Sequence, residues 1–138
     1  MRENMGLYHG KRTYNGKWVE GSLVVTPQGD AYIISTAETK RDATVLVNQC
    51  SLNVDPETIG QYTACHDKYQ NNVFENDIVW DEYDEQYGVV EFNEGEFVVN
   101  FDGVINCDRF VDVINCCEVV GNIFDNPEFI GNGEKYEK

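Results

Sequence analysis

The chain has 138 residues, 41% of them hydrophobic and 12% aromatic, and its 25 acidic and 10 basic side chains give a formal net charge of −15. Such a length and composition fit one folded domain with its own core and exclude a low-complexity chain; no apolar run approaches the ~20 residues that cross a bilayer. The charge is lopsided, with six bases and five acids in residues 1–50, four bases and twenty acids in residues 51–138, and eleven acids without a Lys or Arg from Tyr69 to Asp108, a field that repels nucleic acid and anionic lipid and favours basic protein partners.

In chain order the pattern is one of short strands between turn signals. "RTYNGKWVEG" places Asn15-Gly16 between Tyr14 and Trp18 and predicts a hairpin with a type I′ turn, which needs a positive φ at both central residues. "SLVVT" and "AYIIS" flank Pro27-Gln28-Gly29-Asp30 and predict a second hairpin. Residues 36–44 read as a polar loop, and "TVLVN" as a short strand. Asp55-Pro56-Glu57 predicts one helical turn, with Asp55 as its cap and Pro56 in first position. "NNVFENDIVW" reads as two strand pieces joined around Glu75 to Asp77.

The clearest hairpin follows. In "GVVEFNEGEFVVNF", Val90 and Phe92, then Phe97, Val99 and Phe101, fall on one face by a period of two, with Glu91, Glu96 and Asn100 on the other. Asn93-Glu94-Gly95 makes the turn. "CDRFVDVIN" suits a short helix capped by Asp108 or a strand, "CEVVGNIF" a last strand, and "DNPEFI" a turn entered at Pro127. Some eight short strands at this spacing predict an all-β barrel or sandwich with at most one or two short helical turns. The expected organisation is a single domain over 1–130, with N-terminal hairpins in 10–50, a barrel core in 51–130 and a frayed tail at 131–138. The expected core is Trp18, Tyr62, Phe74, Ile78, Val90, Phe92, Phe97, Val99, Phe101, Val120 and Ile123.

The stretches "DPETIGQYTACHDKYQNNVFENDIV" at 55–79 and "EVVGNIFDNPEF" at 118–129 together resemble the YopX family, small proteins of phages and prophages. "DPETIGQYTACHDKYQNNVFENDIV" is similar to the family pattern Pro-Glu-Thr-Val-Gly-Gln-Tyr-Thr-Gly, a Lys-Asp-Lys-Asn-Gly hairpin, then Glu-Gly-Asp-Ile-Val. It matches at Pro56, Glu57, Thr58, Gly60, Gln61, Tyr62, Thr63, Asp67, Lys68, Glu75, Asp77, Ile78 and Val79. "EVVGNIFDNPEF" at 118–129 resembles the closing motif, and "GKRTYNGKWVEGSLV" a common start, so the resemblance covers residues 10–130. It implies a β-rich fold containing an SH3-like barrel, a phage or prophage origin and the host-cell cytoplasm, and it brings no catalytic residues with it. Ala64, Gln70 and Asn76 stand where the family has glycine. Asn tolerates a left-handed backbone at small cost. Gln does not, so the tip at Gln70 is expected to be wider or of another turn type; Ala64 raises the same question more mildly.

The residues offer little chemistry. The cysteines, at 50, 65, 107, 116 and 117, are odd in number and form no CxxC pair, so they read as reduced thiols of a cytosolic protein, and no metal or cofactor is expected. An EF-hand loop starting at Asp67 fails at Tyr69, Asn72 and Ile78. Cys65 and His66 are strand neighbours that diverge, and no phosphate-binding glycine loop is present. A carboxylate-dependent hydrolase would use Glu91 and Glu96, which lie on a polar face. Lys11, Arg12 and Lys17 form the only basic cluster and read as a guarded hairpin edge. "MRENMGLYHGKR" lacks the apolar core of a signal peptide, which fits the cytoplasm.

The acids remain as the candidate interaction surface: Asp81, Glu82, Asp84, Glu85, Glu91, Glu94 and Glu96. The expectation is a non-enzymatic protein that meets a basic protein partner, with no direct nucleic-acid binding, no membrane, and hairpin edges open to self-association. The alternative is a DNA mimic. A chain of this size is roughly 35 Å across, and that length of duplex shows about twenty phosphates, comparable to the acid excess.

Overall fold

The computed structural model describes residues 6–35, 52–105 and 108–136, the side chains of 132–136 excepted. The polar loop expected at 36–44 and the strand expected at "TVLVN" lie outside the described residues. Among the described residues the fold is all-β, two antiparallel sheets with one five-residue α-helix and two 3-10 stretches. The chain divides after Tyr62 into two compact units, Met1–Tyr62 and Thr63–Lys138.

In the first unit, β1 (Leu7–Lys11) and β2 (Trp18–Val25) form the predicted hairpin, in register from Leu7↔Ser22 to Lys11↔Trp18. Its connection is not the two-residue turn that Asn15-Gly16 suggested. The loop spans residues 12–17, and of its residues only Gly16 takes a left-handed φ, 70°. Asn15 instead uses its side chain, whose Oδ1 accepts from the Lys17 N–H (2.9 Å), while the Arg12 N–H donates to the Lys17 carbonyl (2.8 Å). The second hairpin is as expected: β3 (Ala31–Ser35) pairs with β2 from Val25↔Ala31 across a turn with Gly29 at φ 94°.

β4 (Asn53–Val54) pairs with β3, and β5 (Gly60–His66) starts beside β1, giving the order β4-β3-β2-β1-β5. The sheet curls until β4 also meets the end of β1: Arg12 bridges Val54, and the Asp55 N–H donates to the Lys11 carbonyl (2.8 Å). Asp55 caps the 3-10 turn Pro56–Thr58, its Oδ1 accepting from the Glu57 N–H (3.0 Å), as the sequence predicts. The curl encloses Ala31, Ile33 and Val54.

It also encloses Arg12, and this corrects the basic cluster. The Arg12 guanidinium is buried, and its Nη1 donates to the carbonyls of Ile33 (2.8 Å) and Leu52 (2.6 Å), so it ties strands together instead of guarding an edge. His9 is buried against the Trp18 ring, centroids 4.7 Å apart, while Trp18 itself is only half-buried.

The second unit takes over β5 and sets β6 (Asn72–Phe74) beside it. The two strand pieces expected around Glu75 to Asp77 are β6 and β7 (Asp77–Asp81). Then come β8 (Gln86–Asn93), β9 (Glu96–Phe101), β10 (Val104–Ile105), helix α1 (Phe110–Ile114) and β11 (Cys117–Asn122). The sheet order is β10-β9-β8-β7-β11. A four-strand meander, one helical turn and a fifth strand returning to the first is the connectivity of an SH3-like barrel. The two-residue turns Glu94-Gly95 (φ 52° and 86°) and Asp102-Gly103 (51° and 90°) have the positive φ pair that type I′ requires.

Its core is Val73, Val79, Val90, Val99, Phe101, Ile114 and Cys117. Gly88 leaves the space they need: a Cβ there would stand 2.5 Å from Val99 Cγ1 and 2.8 Å from the Phe101 ring. Of the expected core, Tyr62, Phe74, Ile78, Val90, Val99 and Phe101 are buried. Phe97, Val120 and Ile123 are half-buried, and Phe92 is 53% exposed. Phe92 pairs with Phe97 one step from the hairpin tip, beyond the reach of the core. Val120 sits in a bulge between Val119 and Gly121, where an extra residue breaks the period of two. The helix is present, but Arg109, not Asp108, occupies its N-cap position, without a capping side-chain bond. A 3-10 stretch, Pro127–Tyr136, continues past Ile130.

Ala64, Gln70 and Asn76 all take a left-handed backbone, at φ 66°, 69° and 77°. Gln70 thus adopts the backbone that a wider tip was expected to spare it, and its N–H closes the turn on the Asp67 carbonyl (3.0 Å). Asp67 explains why. It is 1% exposed, and its Oδ1 accepts from the N–H groups of Tyr69 (2.9 Å) and Asn71 (2.8 Å). Its Oδ2 accepts from the Asn71 side chain (3.1 Å) and from the Val119 N–H in β11 (2.9 Å). Burial pushes this carboxyl up, and the bonds from Val119, Asn71 and Tyr69 outweigh it and hold the pKa below the usual aspartate value.

Three outcomes are expected. Gln70→Gly raises stability by roughly 1 kcal/mol, since an L-residue in the left-handed region costs ~1–2 kcal/mol and glycine's looser unfolded chain returns part of that; a lower denaturation midpoint contradicts it. Asp67→Ala strands the Val119, Tyr69 and Asn71 donors and lowers stability by about 3 kcal/mol or more, against a small change for Lys68→Ala in the same denaturant titration. Burial holds the His9 pKa down to about 4, from 6.5. The unfolded chain then binds the extra proton between those values, so stability is full above pH 6.5 and falls as pH drops toward 4. His9→Gln flattens that part of the melting-temperature profile, and an unchanged slope refutes the assignment.

Candidate functional site

The acids that the sequence singles out fall at two ends of the second unit's sheet. Asp81 ends β7, and Glu82, Asp84 and Glu85 form the turn into β8 with Tyr83, whose side chain is 92% exposed. Asp102 lies in the turn after β9, at the same end by register. Glu94 lies in the opposite turn and Glu96 follows it, with Glu91 two positions before Asn93. Eight residues of β8 separate the ends, about 25 Å at ~3.3 Å per residue. The fold therefore brings Asp81, Glu82, Asp84 and Glu85 together, and Glu91, Glu94 and Glu96 together, but not the two groups with each other.

Several of these acids have local structural work. Asp81 Oδ1 accepts from the N–H groups of Tyr83 (3.0 Å) and Asp84 (3.4 Å) and so builds its own turn. Glu82 forms an ion pair with Lys68 Nζ (3.3 Å), and its hydrogen bond raises the lysine pKa. Glu85 and Glu94 occupy left-handed turn positions, at φ 52° each. Glu91 accepts from the Asn100 side chain (3.1 Å). Glu91 pairs with Val98 and Glu96 with Asn93, so the two glutamates share a face without standing opposite each other.

Among the described residues, two cavities of this unit can be placed. The larger, about 310 Å³, opens between β8, β9 and the closing 3-10 stretch, under the stacked rings of Tyr87 and Phe129 (centroids 5.0 Å apart), and Asp102 supplies its one carboxylate. The smaller, about 160 Å³, lies along β9 against α1, with the exposed residues Glu96 and Asp108 among its lining. Retaining or inverting glycoside hydrolysis needs a carboxyl withdrawn from water beside a second one. The described pairs of acids are on turns and rims.

Among the described residues, Cys65, Cys116 and Cys117 are free thiols. Burial pushes the Cys65 pKa up, and burial with the charges of Asp81 and Cys116 pushes Cys117 up to about 12, so neither thiol ionises readily to a nucleophile. Among the described residues no three His, Cys, Asp or Glu side chains gather as metal ligands, and no helix is long and apolar enough to cross a membrane.

Two features escaped the sequence reading. Asp67 was legible as a turn residue, since an aspartate followed by an Asn four residues on can bond its own backbone; its reach across 52 residues to Val119 had no local signal. The groove along β9 is made by α1, whose placement depends on the whole sheet.

A search of curated proteins finds no match. The family described as YopX protein matches residues 7–131, nearly the whole chain and all of the elements from β1 to β11. The matched span includes the capped turn at Pro56, the Asp67 tip and the turn before Asp77, each held by an aspartate side chain. By that match the chain belongs to the YopX family.

Proposed function

We infer that this phage-type protein is non-enzymatic and works in the host-cell cytoplasm through contacts with a basic protein partner. The observation that carries the reading is the pair of acidic ends. From Tyr69 to Asp108 the chain has eleven acids and no base, and Glu82 takes the cation of its ion pair from Lys68, outside that span. Like charges on exposed turns are weakly unfavourable in water, so the fold tolerates them, and a cationic surface gains from them through steering and short-range pairing. The separation of about 25 Å at ~3.3 Å per residue favours two local contact points over one continuous phosphate-like face, which makes DNA mimicry the weaker reading.

The test is capture of host proteins on the immobilised chain at low and high salt. Basic partners are retained at low salt and lost as the Debye length shrinks toward ~3 Å at 1 M. The pair Asp84→Asn with Glu85→Gln, and separately Glu94→Gln with Glu96→Gln, shows which end they use. Retention of the same proteins through high salt and through both pairs of substitutions, or recovery of no basic protein, removes the reading. Light scattering across a concentration series reports whether the chain also pairs with itself.

A further inference from the structure

We propose that the larger cavity, under Tyr87 and Phe129, receives an arginine side chain of a basic protein partner, its guanidinium lying against the rings and pairing with Asp102. This deepens the reading above and rests on it, naming which acidic end makes the contact and what it grips.

Strand parity builds the cavity. Val90, Val99 and Phe101 fill the core on one face of β8 and β9. Tyr87 and Val89 point to the other face, where Val89 stands opposite Asn100 and the closing 3-10 stretch packs on β8. Phe129 of that stretch lies parallel to Tyr87 within 6°, centroids 5.0 Å apart, and Trp80 leans on Tyr87 from β7 at 4.7 Å. Two ring contacts therefore fix Tyr87 in place. The enclosed space, about 310 Å³, is at the small end of ligand pockets, which begin near ~300 Å³, and so suits one side chain more than a larger molecule.

The described lining is apolar at its base and polar at its rim. Val89, 2% exposed, lies deep, and the amides of Gln86 and Asn100 and the carboxylate of Asp102 stand around the rings. Asn100 holds the rim in shape: its Oδ1 accepts from the Gly103 N–H (2.7 Å), fixing the turn that carries Asp102, and its Nδ2 donates to Glu91 (3.1 Å).

Charge and shape select the occupant. Ring faces carry a negative quadrupole, and Asp102 adds a full charge beside them. Asp84 and Glu85 are exposed in the turn at the same end of the sheet and deepen the negative potential at the mouth. A cation is drawn in, and a nucleotide would bring its phosphates to the same acids. Among cationic side chains arginine fits best, because its planar guanidinium stacks on a ring while its fork of N–H donors meets a carboxylate; the lysine ammonium is a compact, strongly hydrated point charge.

The probe is a short glycine peptide with one central arginine and both ends capped, titrated into the intact chain and followed by amide shifts. Shifts are expected at Tyr87, Val89, Asn100, Asp102 and Phe129. Citrulline in place of arginine keeps the shape, removes the charge and weakens binding about tenfold, the loss of a charge-assisted pair. Asp102→Asn has the same effect, and it keeps the fold, since Asn-Gly favours the type I′ turn found here. Glu94→Gln with Glu96→Gln, at the far end, leaves the affinity unchanged. Free arginine, which brings its own carboxylate, binds more weakly than the capped peptide; equal binding would overturn a protein source for the side chain. Equal affinity for the citrulline peptide or for the Asp102→Asn chain, shifts centred elsewhere, or no binding overturns the arginine site. Salt-sensitive capture of basic proteins that persists in Asp102→Asn would then leave the wider reading standing.

Discussion

A single buried carboxylate organises the second unit. Asp67 meets three main-chain N–H groups and one side-chain amide, and these partners come from both its own turn and the last strand. The Lys68 N–H adds a bond to the Cys117 carbonyl (2.9 Å) beside it. Such a group is costly to bury and strongly stabilising once satisfied, so its effect is to allow one arrangement and penalise near alternatives. The left-handed turn at Gln70, the pairing of β11 and the closure of the Cys117 end of the sheet all follow from filling its four acceptor positions. Asp77 repeats the device on a smaller scale, its Oδ2 accepting from the Phe74 N–H (2.8 Å) across the next turn.

The acids thus divide by burial into two populations with opposite tasks. Asp67 and Asp77 are withdrawn from water and fix turns. Glu82, Asp84, Glu85, Glu94 and Glu96 stand on turns and strand ends facing solvent. Composition alone merges these groups into one net charge. Separating them shows that the surface field is a property of loops, which can vary without touching the framework beneath.

The strand pattern was legible wherever local chemistry decides it. The capped turn at Pro56, the β8–β9 hairpin and the break between β6 and β7 each rest on residues within a few positions of one another. The Asn15-Gly16 turn and the Asp108 cap failed locally; the other losses occurred where distant packing decides. Val120 reads as a core residue until the bulge moves it, and Phe92 keeps the right parity but lies too near the tip. Gln70 seemed to forbid the backbone it adopts, because the compensating carboxylate acts through the whole turn. Arg12 looked like surface charge, and only the curl of its sheet shows it bonded to two carbonyls. The acidic candidates read as one group in the sequence, but the length of β8 parts them in space.

The pairing of β11 with β7 has a consequence for synthesis on the ribosome. The strands of the first unit are complete once Tyr62 has emerged, and the β7–β8–β9 meander can zip together from adjacent residues as it appears. Asp67 must wait for Val119, however, and at ~5–20 residues per second that delay is about 3 to 10 seconds. During that interval the carboxylate is held by water and β7 has an open flank. By the time Val119 is made the nascent chain carries 21 of its 25 acids, whose mutual repulsion opposes contact between neighbouring copies.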